Sequence, residues 1–448
     1  MRPLQYERPG DEMADVIVVG AGIAGLTAAC YLASQGADVT VLEQHAVVGG
    51  YCSMFKRGHV WFDAAVHVIG GLGPGEVLTN LLDACGVSLE WVPVDPLFAI
   101  YQAGRLYDTW DRGLSDCIRR EVSRPSRQMH RDSFRHWIDQ RPWAQARQVL
   151  LESSSTLYTG MAPDELSAFS AVSMFDSYYH GGFYPRGGSR QLPEALKRHL
   201  VRHKAEVKTR TRVVGLRLDK ASQRWSITTT RGHFSSRAVV WAATPDRLSE
   251  LIPVDLPRLD PGTTALILYL EAGTGLKIDP VPESMLWTEG PRMVSPDELF
   301  TTSQVHAVLS IPTLGDPSLC PPGHQVLSFA VPTRATPYRL TEKKAYAAAI
   351  IAAVERGTGW QVKDSVRRWE LAQPSTMVRY TGNWNGALYG WNRFLPYEGI
   401  PTRLPYANLV ACSHWGRYGH GVYGAAISGQ RAAEVLQRNG LSRKQEAL

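Results

Sequence analysis

The six cysteines of this chain, Cys30, Cys52, Cys85, Cys117, Cys320 and Cys412, form no CxxC pair and no cysteine–histidine spacing suited to a metal. That scatter argues against a disulfide framework or a zinc site, so no metal is expected, and it favours a reducing, cytoplasmic setting. Long apolar runs are also scarce. The one stretch that invites reading as a signal peptide or membrane span, Asp15–Ala33, is interrupted by glycines, and Met1–Ala14 lacks a convincing basic leader. Charge is sparse, at 20% of 448 residues, and a net value of +6 is too mild at this length to suggest nucleic acid as a partner. No internal repeat or low-complexity tract is found. With 44% hydrophobic residues, the chain can bury the cores of two or three domains.

What is present is a glycine pattern with a clear physical meaning. Gly20, Gly22 and Gly25 separate the apolar run Asp15–Val19 from a helical pattern over Ala24–Gln35, stopped by Gly36. A second strand is predicted at Asp38–Leu42, with Glu43 at its end. In such a unit Gly20 permits the turn, Gly22 lets the backbone approach a pyrophosphate, and Gly25 lets the helix lie close to the sheet. The free N–H groups around Ile23 and Ala24 then face the phosphates. Glu43 is placed to accept hydrogen bonds from both ribose hydroxyls and to disfavour a 2′-phosphate. A plain glycine-rich turn is the alternative, but strand, helix and acid in register favour a dinucleotide. A second such fingerprint for a nicotinamide is absent.

Three separated segments carry the features of a nucleotide domain: 15–93, 183–252 and 374–440. In the second, Gly187 and Gly188 precede a helical pattern over Gln191–Arg202, then alternating runs at Val213–Leu218 and Trp225–Thr230 and an apolar strand at Ala238–Ala242. The third holds a strand at Leu409–Cys412 and a helix over Val422–Gln437. The intervening 94–182 and 253–373 are expected to form a second domain. It would contain a hairpin at Phe98–Asp108 turning at Ala103–Gly104, strands at Ala265–Leu270 and Val326–Val331, and a helix at Thr341–Arg356.

After Glu43 come Gly49-Gly50, then Phe55, Gly58, Phe62-Asp63-Ala64-Ala65-Val66-His67 and Gly70. This order resembles the second FAD-contact region of the carotenoid desaturase and isomerase family, within the amine-oxidase-like flavoproteins. It is most similar to the isomerase and retinol-saturase branches. Tyr184-Pro185-Arg186-Gly187-Gly188 is similar to the family's YPxGG segment. Gly419-His420-Gly421-Val422, with Ser428-Gly429, resembles its C-terminal flavin-facing segment, and Tyr380, Gly386 and Tyr389-Gly390 resemble a fourth element. The match runs nearly the full length, with a poorly matched middle. It implies an α/β fold: a discontinuous Rossmann-like FAD-binding domain of the glutathione-reductase type, with an inserted mixed α+β substrate domain. It also implies FAD held by Gly20, Gly22, Ile23, Ala24, Gly25, Glu43, Gly49, Gly50, Val213, Gly421 and Val422. Three departures stand out: Ala65 replaces a usual glycine, Tyr51 and Cys52 stand where an arginine often follows the double glycine, and His414 and Tyr418 replace a usual acid and proline.

The positive end of the helix after Gly421 would stabilise negative charge on a reduced flavin if aimed at it; otherwise Gly419 and Gly421 only cap a core helix. His67, His420 and Tyr179 are the candidate catalytic groups, His67 by its family position and the other two by their place beside glycine-rich segments. For each, a structural role competes. Arg186 meets either the cofactor phosphates or only solvent. Cys117–Arg147 carries eight arginines against three acids, interleaved with Phe134, Trp137 and Trp143; this suits either peripheral contact with an anionic membrane or a solvated helical face. The expected function is FAD-dependent desaturation, saturation or cis–trans isomerisation of a long, lipophilic polyene or isoprenoid. The alternatives are an amine or porphyrinogen oxidase, and a non-catalytic lipid escort on the same fold.

Overall fold

The computed structural model describes residues 12–441 apart from 103–104, 109, 258–259, 279–283, 289–305, 334–340 and 393–398. The first sheet begins with Glu12–Val19, whose Val16, Ile17 and Val18 are fully buried. Such a run is covered on both faces, as strands of parallel sheets are. It pairs in parallel with Val39–Leu42 on one side and Gly232–Trp241 on the other. Glu206–Lys208 extends the first edge in parallel. Beyond the other edge, the first half of Gly232–Trp241 pairs antiparallel with Arg224–Thr229, which pairs with Val213–Asp219. Its second half pairs in parallel with Leu409–Ala411.

One face of this sheet is covered by the helices Ile23–Ser34, Val77–Ala84, Gln191–Arg202 and Gly421–Arg438. The first and last of these touch closely: a Cβ at Gly429 would stand 2.2 Å from the Ala24 carbonyl oxygen. On the opposite face, Trp225 and Trp241 of the sheet share a core with Trp391 and Trp415.

A second sheet runs in the order Val366–Ala372, Thr264–Ala272, Gln325–Thr333, His306–Ser310, Ser284–Thr288, Ile100–Gln102, Arg105–Tyr107. Alternation divides Thr264–Ala272 between two cores. Leu266, Leu268 and Leu270 face the helix Lys343–Thr358, while Ala265, Ile267 and Tyr269 face the helical layer from Arg112 to Asp176.

Segment 94–182 is mainly helical, with Arg112–Ser123, Phe134–Asp139, Gln145–Thr159 and Ala168–Asp176; it joins the second sheet through the expected hairpin, whose turn residues Ala103–Gly104 lie outside the described residues, and through the pairing of Ile100–Gln102 with Ser284–Thr288. Gly182–Pro185, where the second nucleotide segment is expected to open at Phe183, pairs with Trp91–Val94 at the end of the first in a separate two-stranded ribbon. Among the described residues no helix is long and apolar enough to cross a membrane.

Candidate functional site

A single cavity of about 1670 Å³ runs from the glycine fingerprint to the inner face of the second sheet. Ligand pockets usually span about 300–1,000 Å³, so there is room for a cofactor and a substrate together. At one end lie Gly20, Gly22, Ile23, Ala24, Glu43, Gly49, Gly50 and Val213, and farther along lie Gly421 and Val422.

The fingerprint glycines divide into two kinds. Gly25 faces protein, and a Cβ there would sit 2.0 Å from the Gly20 carbonyl oxygen. Gly22 has open space: a Cβ would meet nothing within 4 Å, so a side chain would project where a pyrophosphate passes. The Gly49 N–H donates to the Ala21 carbonyl at 2.7 Å, drawing the second glycine turn onto the first. Glu43 accepts from the Ala21 N–H at 2.8 Å and the His45 N–H at 2.7 Å, and burial raises its pKa against these bonds. The helix Gly421–Arg438 opens onto the cavity, and the His420 side chain at its N-cap does not cap it. Its first amides and positive end therefore face the void.

His67 lines the middle of the cavity with Tyr158, Tyr178 and Tyr389. Its ring meets the void yet lies deep beneath the protein surface, and burial lowers its pKa to about 4, so it is neutral at pH 7. The phenols shift the other way, Tyr389 to about 12 by burial. His420 also lines the cavity, its ring tilted at 49° to that of Tyr389 with the centroids 4.8 Å apart. Ala65 keeps φ out of the positive range that the usual glycine would allow.

Tyr179 is elsewhere. Its ring lies against the guanidinium groups of Arg112 and Arg119, 4.2 and 4.1 Å away, its hydroxyl donates to Asp116, and it does not line the cavity. The chain turns between Tyr178 and Tyr179, so only the first reaches the interior. Arg186 is likewise outside, paired with Glu90 at the surface. Of the eight arginines between 117 and 147, Arg119, Arg135, Arg141 and Arg147 pair with acids of this chain, while Arg120, Arg124, Arg127 and Arg131 are exposed.

The scattered cysteines hide one juxtaposition that sequence spacing did not signal. Cys30, Cys85 and His199 bring their ligand atoms within 4.8 Å of one another in the core. Both His199 ring nitrogens are engaged, Nδ1 with the Cys85 carbonyl at 2.8 Å and Nε2 with Ser34 Oγ at 3.0 Å. The group reads as satisfied packing. Sequence reasoning also passed over Asp176 and Tyr423, which line the cavity; a single acid in Ser-Met-Phe-Asp carries no motif.

The fold and cavity are those of a dinucleotide-dependent oxidoreductase. The chain belongs to the FAD dependent oxidoreductase family (DAO), matched over residues 15–435. It is similar to the all-trans-retinol 13,14-reductase of Homo sapiens, 26% identical over 50% of this chain and 45% of that protein, so it spans about half of that relative's length. It is also similar to the chloroplastic prolycopene isomerase 1 of an Oncidium hybrid cultivar, 24% identical over 98% of this chain and 86% of the relative. A solved oxidoreductase from Methanosarcina mazei shares the fold, with a TM-score of 0.69 at 16% identity, covering 94% of this chain and 100% of its own. The cofactor is FAD, and the open cradle at Gly22, the acceptor Glu43 and the helix end at Gly421 fit it.

Proposed function

We propose that this enzyme acts on the C–C and C=C bonds of a long apolar polyene or isoprenoid, carotenoid- or retinoid-like, by desaturation, saturation or cis–trans isomerisation. The observation that carries the reading is the continuity of the cavity. The void beside the phosphate cradle passes without a break to walls of Phe55, Val68, Tyr158, Tyr178, Met377 and Leu388. Bound in the cradle, FAD supplies a two-electron acceptor and donor of hydride.

The chain's own residues do the rest. Gly20, Gly22, Ile23, Ala24, Glu43, Gly49, Gly50, Val213, Gly421 and Val422 hold the cofactor, Gly25 seats their helix against the Gly20 turn, and segments 15–93, 183–252 and 374–440 form the body. Segments 94–182 and 253–373 form the substrate's roof. The exposed N–H groups at Gly421 favour negative charge, the neutral His67 and its wall neighbour His420 orient the substrate through hydrogen bonds, and the aromatic walls keep water out. Arg120, Arg124, Arg127 and Arg131 give peripheral contact with an anionic membrane surface at the cytoplasmic side, where a lipophilic substrate resides.

The test is anaerobic incubation of the FAD-loaded protein with a panel of carotenoids and retinoids, following both the flavin spectrum and product geometry. Bleaching or re-oxidation with a changed bond count identifies a redox reaction, and a new isomer without net flavin change identifies isomerisation. Inertness toward every member of the panel rejects the reading.

A further inference from the structure

We propose that Asp176 is the residue that exchanges a proton with the substrate, an inference that rests on the polyene-directed reading above. Asp176 ends the helix Ala168–Asp176 on the cavity wall, with a side chain only 8% exposed. Its Oδ1 pairs with Arg119 Nε at 2.7 Å. Charge alone holds that buried oxygen, which makes no hydrogen bond. The other acids on the wall are committed or open to water. Glu43 spends both oxygens on backbone N–H groups. Glu370 clasps Arg57 through both of its own. Glu250 is 56% exposed.

The surroundings explain why such a carboxyl can hold a proton. Arg119, from the helix Arg112–Ser123, is shared with a second buried acid, Glu76, whose Oε1 lies 2.7 Å from its Nη2. Glu76 sits at the N-cap of Val77–Ala84 and has His180 Nε2 at 3.6 Å. Tyr423 approaches from the closing helix, and Tyr179 lies over the Arg119 guanidinium. Two buried carboxylates around one guanidinium leave an excess negative charge with little water to solvate it. Burial raises the Asp176 pKa to about 6, with Arg119 opposing and Glu76 adding to the rise. His67 at about 4 and the wall phenols are fixed in their neutral forms, so Asp176 is the wall group suited to proton exchange near neutrality.

The exchange balances in each direction. In saturation the carboxyl O–H bond breaks as a C–H bond forms at one alkene carbon, and the other carbon gains the hydride held by reduced FAD. In desaturation a C–H proton passes to the carboxylate, and the hydride leaves to oxidised FAD. In isomerisation the proton is lent to the polyene and returned after rotation, with no net redox change.

The experiment combines Asp176→Asn and Glu76→Gln with the FAD-loaded wild type. Asp63 titrates in the same range, so the wild-type infrared spectrum less that of Asp176→Asn should show a carboxylic C=O band growing as pH falls through about 6. With a substrate from the panel, Asp176→Asn should lower kcat by about a hundredfold or more, with flavin content unchanged, and remove the limb of the pH profile near 6. Glu76→Gln keeps the acid but removes its like-charged neighbour, so that limb should move to lower pH. Wild-type turnover with an unaltered Asp176→Asn profile, a wild-type-less-variant spectrum without that band, or an unmoved limb in Glu76→Gln overturns this inference alone. A wild type inert toward the whole panel overturns the reading beneath it as well.

Discussion

The hydroxyl of Tyr184 donates to Asp63 Oδ2 at 2.5 Å, tying the Tyr-Pro-Arg-Gly-Gly segment to the strand Val60–Asp63 across the core. The Ser189 N–H donates to the other oxygen at 3.0 Å. Tyr184→Phe leaves that buried oxygen without its donor, and a hydrogen bond to a charged group contributes about 1.5–3 kcal/mol. Urea unfolding of the FAD-loaded protein should show a loss in that range.

Asp63 also sets a pH dependence. Burial raises its pKa to about 6 from an ordinary value of 3.8, the hydrogen bonds opposing. The folded state thus binds the proton more tightly than the unfolded chain, so this group's contribution is full below about 3.8 and is lost as pH rises through about 6. Asp63→Asn removes that dependence. Unfolding free energy measured between pH 4 and 7 should fall less steeply for the variant than for the wild type.

Gly22→Ala and Gly25→Ala should fail differently. The Gly25 substitution drives a Cβ into the Gly20 carbonyl, so the apoprotein should lose several degrees in Tm or fail to fold. At Gly22 the Cβ meets no protein atom within 4 Å and φ is −72°. The apoprotein Tm should stay near wild type while FAD affinity drops by about tenfold or more, as read by flavin fluorescence.

His67 should not titrate in the physiological range. Its pKa of about 4 means that imidazole NMR signals from 15N-labelled protein stay constant between pH 5.5 and 8. His67→Gln should change kcat without moving the acidic limb of the pH profile. A His67 midpoint near 6.5 would contradict the burial described here.

Vesicle binding tests the exposed arginines. Replacing Arg124, Arg127 and Arg131 by Glu should abolish sedimentation with vesicles containing phosphatidylserine, at about 1 kcal/mol per basic residue near the surface. Rising salt should weaken wild-type binding in parallel.

The nucleotide half of the molecule was legible because its signals are local. Three glycines, a helix and an acid within thirty residues define one unit, and the helix Gln191–Arg202 coincides with its apolar periodicity. The second sheet was not legible in the same way. Ile100–Gln102 pairs in parallel with Ser284–Thr288, far along the chain, and no local pattern encodes such a partner. Between them, the arginine-rich stretch hid a helical layer, since Arg119, Arg135 and Arg141 serve as internal ion partners rather than as one solvated face. The site shows the same division. Glycines that a phosphate would touch announce themselves by spacing. Tyr178 and Tyr179 are neighbours of identical chemistry, and only the turn of the backbone sends one to the cavity and the other to a pair of guanidinium groups.

The contact between Ile23–Ser34 and Gly421–Arg438 has a temporal side. At about 5–20 residues per second on the ribosome, the second helix emerges roughly 20–80 s after the first. Until then the cleft lacks its closing wall and the strand Leu409–Ala411. Flavin capture is therefore expected to await this helix, and a messenger truncated before it should yield a colourless product even with every fingerprint glycine in place.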